Sequence, residues 1–352
     1  MPADLSTTYL GMPLRTPLVA SASPLSARLD SLHSLEEAGV GAVVMQSLFE
    51  EQIEHEEMEL HGVLELGSLS QPEAGTYFPE LDTYNTGPEE YLRHLEAASN
   101  ALSVPVIGSL NGHTRGGWLR YAQMIESAGA AALELNAMFV PTHAATTAAE
   151  VEARYLGLIA DIRAATRLPL AIKIGPYFSS LPHFAARLVE AGADGLVLFN
   201  RYLEPDIDLE SMTVAPVLHL STVEEMRLPL RWIAILRDQV NVSLAATTGI
   251  HDAESALKVL LAGADVAMMA SALLAIGPHH VRTVLAGMRS WLDEREYESV
   301  GQLKGSMSQY SISDPTDYER SNYLRALTRY TIDHHLVGDR TDSATHSVSG
   351  KT

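Results

Sequence analysis

The sequence predicts a TIM-type (β/α)8 barrel in a single domain, on three observations. A phrase recurs four times: EAGVGAVVM (Glu37 to Met45), SAGAAALEL (Ser127 to Leu135), EAGADGLVL (Glu190 to Leu198) and LAGADVAMM (Leu261 to Met269). Each copy ends a helix in Ala-Gly, turns over small residues and enters a strand, and glycine suits the left-handed position that closes a helix. Four other apolar runs, Leu18 to Ser21, Val104 to Ser109, Leu170 to Ile174 and Val242 to Ala246, alternate with the copies. Eight strands result, with the phrase on the even-numbered ones, as a repeated β-α-β-α unit requires. The runs are continuously apolar rather than alternating, which is the mark of parallel strands buried on both faces.

Taken in order, strand one is followed by a helix ending at Ala38, and strand two by a long acidic connection, Phe49 to Pro88. Apolar residues at helical spacing predict helices over Arg115 to Ala128, Ala148 to Ala165, Leu181 to Ala191, Leu228 to Gln239 and Pro278 to Trp291. A second long connection, Arg201 to Arg227, follows strand six. Long loops at the carboxyl ends of barrel strands are where a ligand is met. The stretch Val242 to Leu274 reads strand, helix, strand, helix, with Asp252 as N-cap and Gly263 as stop. Both of its strands end in small and hydroxyl residues, Thr247-Thr248-Gly249 and Ala270-Ser271, which leave hydroxyls and backbone N–H groups free to hold a phosphate after strands seven and eight. Asp293 to Tyr330 is expected outside the barrel. The barrel unit thus spans residues 1–330, and residues 331–352 form a polar tail expected to be disordered.

The chain has 352 residues, is 46% hydrophobic and carries a net charge of −20. That balance argues against nucleic acid and anionic membranes as partners. No apolar run reaches membrane-spanning length and the N-terminus has no signal pattern, so a soluble, cytoplasmic protein is expected. The chain contains no cysteine. Disulfides, a catalytic thiol and a cysteine-ligated iron–sulfur cluster are therefore excluded within it.

The strand ends carry the chemistry. Strand one ends Ala20-Ser21-Ala22-Ser23, small residues that let a flat ligand lie against backbone. Strand two ends Gln46-Ser47, strand three Ser109-Leu110-Asn111, strand four Glu134-Leu135-Asn136, strand five Lys173 and strand six Asn200. Two or three amides, one lysine and a phosphate site suit a flavin: amides read the ring edge, and a lysine beside N1 and O2 stabilises negative charge on the reduced ring. Rival readings exist for each. Lys173 could snorkel from the barrel end, although an apolar strand core and Gly175-Pro176 around it favour function. Asn136 and Asn200 could serve loop backbone. Glu134 is expected to point away from Asn136's neighbours and to form a structural ion pair. His55, Glu56, Glu57 and His61 lack the spacing of a shared helix face and read as a solvated loop rather than a metal site. His279 and His280 are expected on the surface.

These residues bring out a resemblance. Over most of Leu10 to Leu274 the chain resembles the dihydroorotate dehydrogenases, FMN-dependent barrels of pyrimidine metabolism. The likeness rests on TPLVASAS at strand one, NTGPEEY (Asn85 to Tyr91), LELN at strand four, PLAIKIGPYF (Pro169 to Phe178), FN at strand six, TTGI and ASALL. PLAIKIGPYF is the most specific piece, since the family carries a similar Lys-x-x-Pro-Tyr segment. The resemblance implies that Lys173 contacts the flavin ring and that Asn136 lies at the flavin–substrate boundary. It places Asn200 toward substrate, Ser21, Ala22 and Ser47 along the isoalloxazine, and Thr248, Gly249, Ala270 and Ser271 around the phosphate; Asn111, read from its strand end, completes the expected cofactor set.

The departures fall on the substrate side. The family's base, a cysteine or serine in an Asn-x-Ser-Cys/Ser-Pro-Asn setting, is replaced by Asn136-Ala137-Met138-Phe139-Val140-Pro141, which offers no proton acceptor. The family's strand-two lysine is Gln46, and its orotate-holding loop reads Phe78-Pro79-Glu80-Leu81-Asp82. Thr142 and His143 are the nearest replacements for the base. The expectation is therefore a flavoprotein oxidoreductase acting on a CH–CH bond of a small planar substrate, with Lys173, Asn136, Asn200 and Thr142 as its catalytic set. A redox partner carrying clusters or a soluble acceptor would reoxidise the flavin. Two alternatives stand beside it: a catalytically degenerate flavin-binding subunit or regulator, and a barrel enzyme for a phosphorylated substrate with Lys173 as Schiff base. The substrate, the acceptor and any homo-oligomer stay open.

Overall fold

The computed structural model describes residues 2–53, 87–112, 118–202, 204–320 and 322–333. Eight parallel strands form its centre: β1 (Leu18–Ala20), β2 (Ala42–Val44), β3 (Val106–Gly112), β4 (Ala132–Ala137), β5 (Leu170–Ile174), β6 (Gly195–Leu198), β7 (Ser243–Ala246) and β8 (Val266–Met269). Each pairs with its sequence neighbour, and β8 pairs with β1, so the sheet closes on itself as a barrel. The helices that follow the strands in turn are α1 (Leu29–Ala38), α2 (Pro88–Ala101), α3 (Trp118–Ser127), α4 (Ala148–Ala165), α5 (Leu181–Glu190), α6 (Arg227–Leu236), α7 (Ala253–Ala262) and α8 (His280–Glu294).

The recurring phrase does what its glycines require. Gly39, Gly129, Gly192 and Gly263 have φ of 108°, 88°, 114° and 124°, a region costly for any residue with a Cβ. Asp252 caps α7 by accepting the Ser255 N–H at 2.8 Å, and Thr147 opens α4 with a reciprocal capping box through Glu150.

Both strand faces are buried, which explains the unbroken apolar runs. Leu133, Leu135, Ile172, Ile174, Leu196 and Leu198 pack outward against the helices. Val19, Val44, Ile107, Ala132, Ala171, Val197, Ala245 and Met268 fill the interior. A hairpin of Thr7–Tyr9 and Met12–Leu14 plugs the amino-terminal end, placing Tyr9, Leu10 and Leu14 in that same interior cluster.

β2 and β3 part company after Val44 and Ile107 and pair again only at Leu48 and Leu110. Across the gap, the buried Tyr91 hydroxyl receives the Ser109 N–H at 2.9 Å and donates to the Ser109 carbonyl at 3.1 Å. One side chain from α2 thus replaces two missing ladder bonds.

Some expectations shift. The connection after β6 carries its own antiparallel hairpin, Pro205–Asp208 with Thr213–Pro216, and a 3-10 turn, Val223–Met226. His280 is not a free surface residue: its Nε2 lies 2.7 Å from the His251 carbonyl oxygen. Beyond α8 come a short helix, Val300–Leu303, and α9, Asn322–Asp333, which carries the chain into the stretch expected to be disordered. Residues 334–352 and 54–86, with His55, Glu56, Glu57, His61 and the Phe78–Asp82 loop, lie outside the described residues. Among the described residues no helix is long and apolar enough to cross a membrane.

Candidate functional site

The register puts three polar side chains at one level of the barrel. Asn111 on β3 is the partner of Asn136 on β4, and Asn136 is the partner of Lys173 on β5. Paired residues of parallel strands share a face, and successive residues alternate between faces. Since Leu135 and Ile172 pack outward, Asn136 and Lys173 face the interior. The same period of two puts Glu134, two residues from Asn136, on the interior face, opposite Leu135 and Ala137 as expected. Its ion pair is present, with Lys173 Nζ 3.5 Å from Glu134 Oε1. Lys173 and Asn136 are each 7% exposed and Glu134 1%. One step below, Ser109 and Ser47 join their hydroxyls at 2.8 Å.

A cavity of about 240 Å3 opens above this level. Eight of the residues expected to hold a ligand line it: Ser21 and Ala22 after β1, Lys173 on β5, Asn200 after β6, Thr248 and Gly249 after β7, and Ala270 and Ser271 after β8. Asn111, Asn136 and Ser47 do not line it: the register sets the two amides level with Lys173, and Ser47 is bonded to Ser109. Thr142 is exposed and lines neither this cavity nor a neighbouring one of about 280 Å3.

Thr248 has φ of 79° and Gly249 of 78°. A β-branched residue in the left-handed region is an outlier of the kind that gathers at ligand sites. The Thr248 hydroxyl steadies it by donating to the Phe199 carbonyl at 3.3 Å. Two residues at this end were not read from the sequence. The connection after β6 returns so that the Ser221 N–H donates to Ser271 Oγ at 3.0 Å, while Ser221 Oγ meets the Gly249 N–H at 3.4 Å and His251 Nε2 at 3.1 Å. These are the groups that a phosphate oxygen would engage. The sequence distance between Ser221 and the Gly249–His251 turn hid this arrangement.

On the opposite side the site is apolar. Asn200 Nδ2 points at Met138 Sδ, 3.1 Å away. Phe139 is tied down by its N–H, donated to Tyr155 Oη at 3.1 Å, and its ring lies under the Arg154 guanidinium at 4.6 Å. Burial pushes the Tyr155 hydroxyl well above the ordinary tyrosine range, so it stays a neutral donor and acceptor near neutral pH.

Buried polar atoms test whether a flavin suits the cavity. Asn136 Oδ1 and both Glu134 oxygens are buried without a hydrogen-bond partner. An amide oxygen left open beside a buried lysine, with the Ser221, Ser271 and Gly249 polar groups gathered at the far end, matches a ligand with N–H edges and a phosphate. The residues present fit FMN.

The fold is a closed (β/α)8 barrel with a cavity at the carboxyl ends of its strands. The chain belongs to the dihydroorotate dehydrogenase family: the model of that family, described as dihydroorotate dehydrogenase, matches residues 80–292, more than half of the chain. A protein of Aeropyrum pernix, named as a candidate dihydroorotate dehydrogenase A (fumarate), is 27% identical over 311 residues, covering 86% of this chain and 97% of the relative. The dihydroorotate dehydrogenase B (NAD(+)) catalytic subunit of Desulforudis audaxviator is 25% identical over 324 residues, covering 87% and 98%. That of Shouchella clausii is 27% identical over 212 residues, covering 57% and 68%. The chain is accordingly a dihydroorotate dehydrogenase-like oxidoreductase, of a family whose members are generally FMN enzymes.

Proposed function

We propose that the chain holds FMN in the cavity above Lys173 and oxidises or reduces a CH–CH bond of a small planar substrate other than dihydroorotate. The observation that carries this reading is the buried Lys173, level with Asn136 and Asn111, beneath a cavity whose far end is built by Thr248, Gly249, Ala270 and Ser271. Bound FMN would supply a two-electron hydride acceptor. Lys173 would hold positive charge against the ring's pyrimidine edge, and the Asn111 and Asn136 amides would pair with its polar atoms. Ser21 and Ala22 would let the ring lie close to backbone, with Ser47 alongside. Ser221 and His251 would join the phosphate set, and Asn200 would face substrate.

Proton transfer is where this chain departs from its family. Phe139 and Met138 stand where a base is wanted, and neither accepts a proton. Thr142 is the candidate replacement, and its exposed loop would have to close over the mouth to reach substrate. Loss of the base costs about 10²–10⁴ in rate. A dihydroorotate carboxylate left without a cation, with Gln46 at the strand-two position, adds about 1–3 kcal/mol or more for each unpaired buried group. The absence of cysteine assigns any cluster to a partner protein, and the soluble, cytoplasmic setting expected from composition accommodates one. The same Phe139 and Met138 favour a second reading, a flavin-binding subunit that no longer catalyses.

The test is the visible spectrum of purified protein before and after anaerobic addition of dihydroorotate. A flavin band that dihydroorotate leaves intact is expected. Bleaching within seconds would sink the substrate reading and bring Thr142 forward as base. A colourless chain that refuses added FMN would sink the flavin reading itself. Bleaching by some other small acid with a saturated CH–CH bond, or reoxidation of reduced flavin by an unsaturated one, would separate the enzyme from the inert subunit.

A further inference from the structure

Glu134 is a buried charged group that the mechanism above leaves unused. It stands inside the barrel on β4, two residues from Asn136, with 1% of its surface exposed. Neither carboxylate oxygen has a hydrogen-bond partner. Its counter-charge is Lys173, at 3.5 Å. That separation makes an ion pair without a normal hydrogen bond. The Ser109 hydroxyl at the neighbouring register position is engaged with Ser47 instead. From below, Tyr9 feels the carboxylate: burial first, then the charges of Glu134 and Asp265, push its hydroxyl well above the ordinary range.

A buried pair of this kind is poor value as a stabiliser, because desolvating two charges offsets their attraction. Apolar residues of similar volume would serve the barrel as well or better. What the pair does accomplish is electrostatic. In a low-dielectric shaft a charge acts over a longer range than in water. A ring above Lys173 would feel the ammonium less the carboxylate, rather than a full cation.

We infer that Glu134 is a positioning residue that holds Lys173 on the barrel axis and, by partly cancelling its charge, lowers the reduction potential of the flavin. The inference rests on the FMN reading given above. The sign follows from charge alone. Reduction adds negative charge to the ring, so a bare Lys173 favours the reduced form and Glu134 opposes it. Removing the lysine and removing the glutamate must therefore move the potential in opposite directions, which a purely structural pair would not do.

The experiment compares the FMN-loaded wild type with Glu134→Gln, Lys173→Met and the double variant, reading midpoint potentials by anaerobic dye-coupled titration and FMN affinity by fluorescence. Glu134→Gln should shift the ratio of reduced to oxidised FMN affinity upward by tenfold or more, about 30 mV for each tenfold in a two-electron couple. Lys173→Met should shift it downward, and the double variant should fall between. If Glu134→Gln fails to fold, Lys173→Met against the double variant carries the same test, since the latter holds no buried charge of the pair. An unchanged or lowered potential on removing Glu134, with FMN bound, overturns the inference and leaves the flavin reading standing. A wild type that takes up no FMN overturns both.

Discussion

Gly249 concentrates several demands on one residue. Its φ is +78°, and a Cβ there would lie 2.3 Å from the backbone nitrogen of Met226. Alanine would carry left-handed strain of about 1–3 kcal/mol and would push away the turn that delivers Ser221. Gly249→Ala should therefore lower FMN affinity at least tenfold while changing riboflavin affinity much less, since riboflavin lacks the phosphate. Titration of flavin-free protein with both ligands checks this, and equal losses would place Gly249 away from the phosphate. Residues differed in how far the sequence revealed them. Lys173 stood out because a charge after an apolar strand core, before Gly175-Pro176, has few structural uses. Glu134 was legible too, since its spacing sets it opposite Leu135 and Ala137, where it pairs with Lys173. Ser221 and His251 were hidden because their hydrogen bonds join loops 28 to 50 residues apart.

At the scale of elements, the seam between β2 and β3 depends on one hydroxyl. Tyr91→Phe keeps the ring in its buried site but leaves the Ser109 N–H and C=O unpaired. Each such group costs about 1–3 kcal/mol, so the variant should lose about 2–4 kcal/mol in urea unfolding. A loss below a few tenths would mean that water or a shift of β2 replaces the hydroxyl. The sequence could not announce this role, because Tyr91 looks like any apolar helix residue until β2 bends away from β3. The strands themselves were legible, since burial on both faces leaves an unbroken apolar run, and the caps at Thr147 and Asp252 marked helix starts. The hairpin in the connection after β6 was not. Ile207, Leu209, Met212 and Val214 are all more than half exposed, so no face is buried and no alternation of burial shows in the residues.

Three buried tyrosines tie the stability of the whole barrel to pH. Tyr9 sits at the floor, Tyr91 at the β2–β3 seam and Tyr155 behind the loop after β4, and burial raises each above its ordinary value of 10.0. The unfolded chain ionises these groups near the ordinary value, whereas the folded chain keeps them neutral. Between those limits the native state binds more protons, so stability is full below about pH 10 and falls as pH rises beyond it. Each tyrosine contributes a slope of about 1.4 kcal/mol per pH unit, and three together about 4 kcal/mol. Against a typical domain stability of about 5–15 kcal/mol, about one to four units of pH suffice to unfold the protein. The chain should therefore unfold cooperatively in alkali, with tyrosinate absorbance rising in the same step in which circular dichroism is lost. A gradual ionisation of all the tyrosines with the helical signal intact would mean that the interior admits hydroxide without opening, contrary to the close packing of Tyr9 against β4 and of Tyr91 against β3.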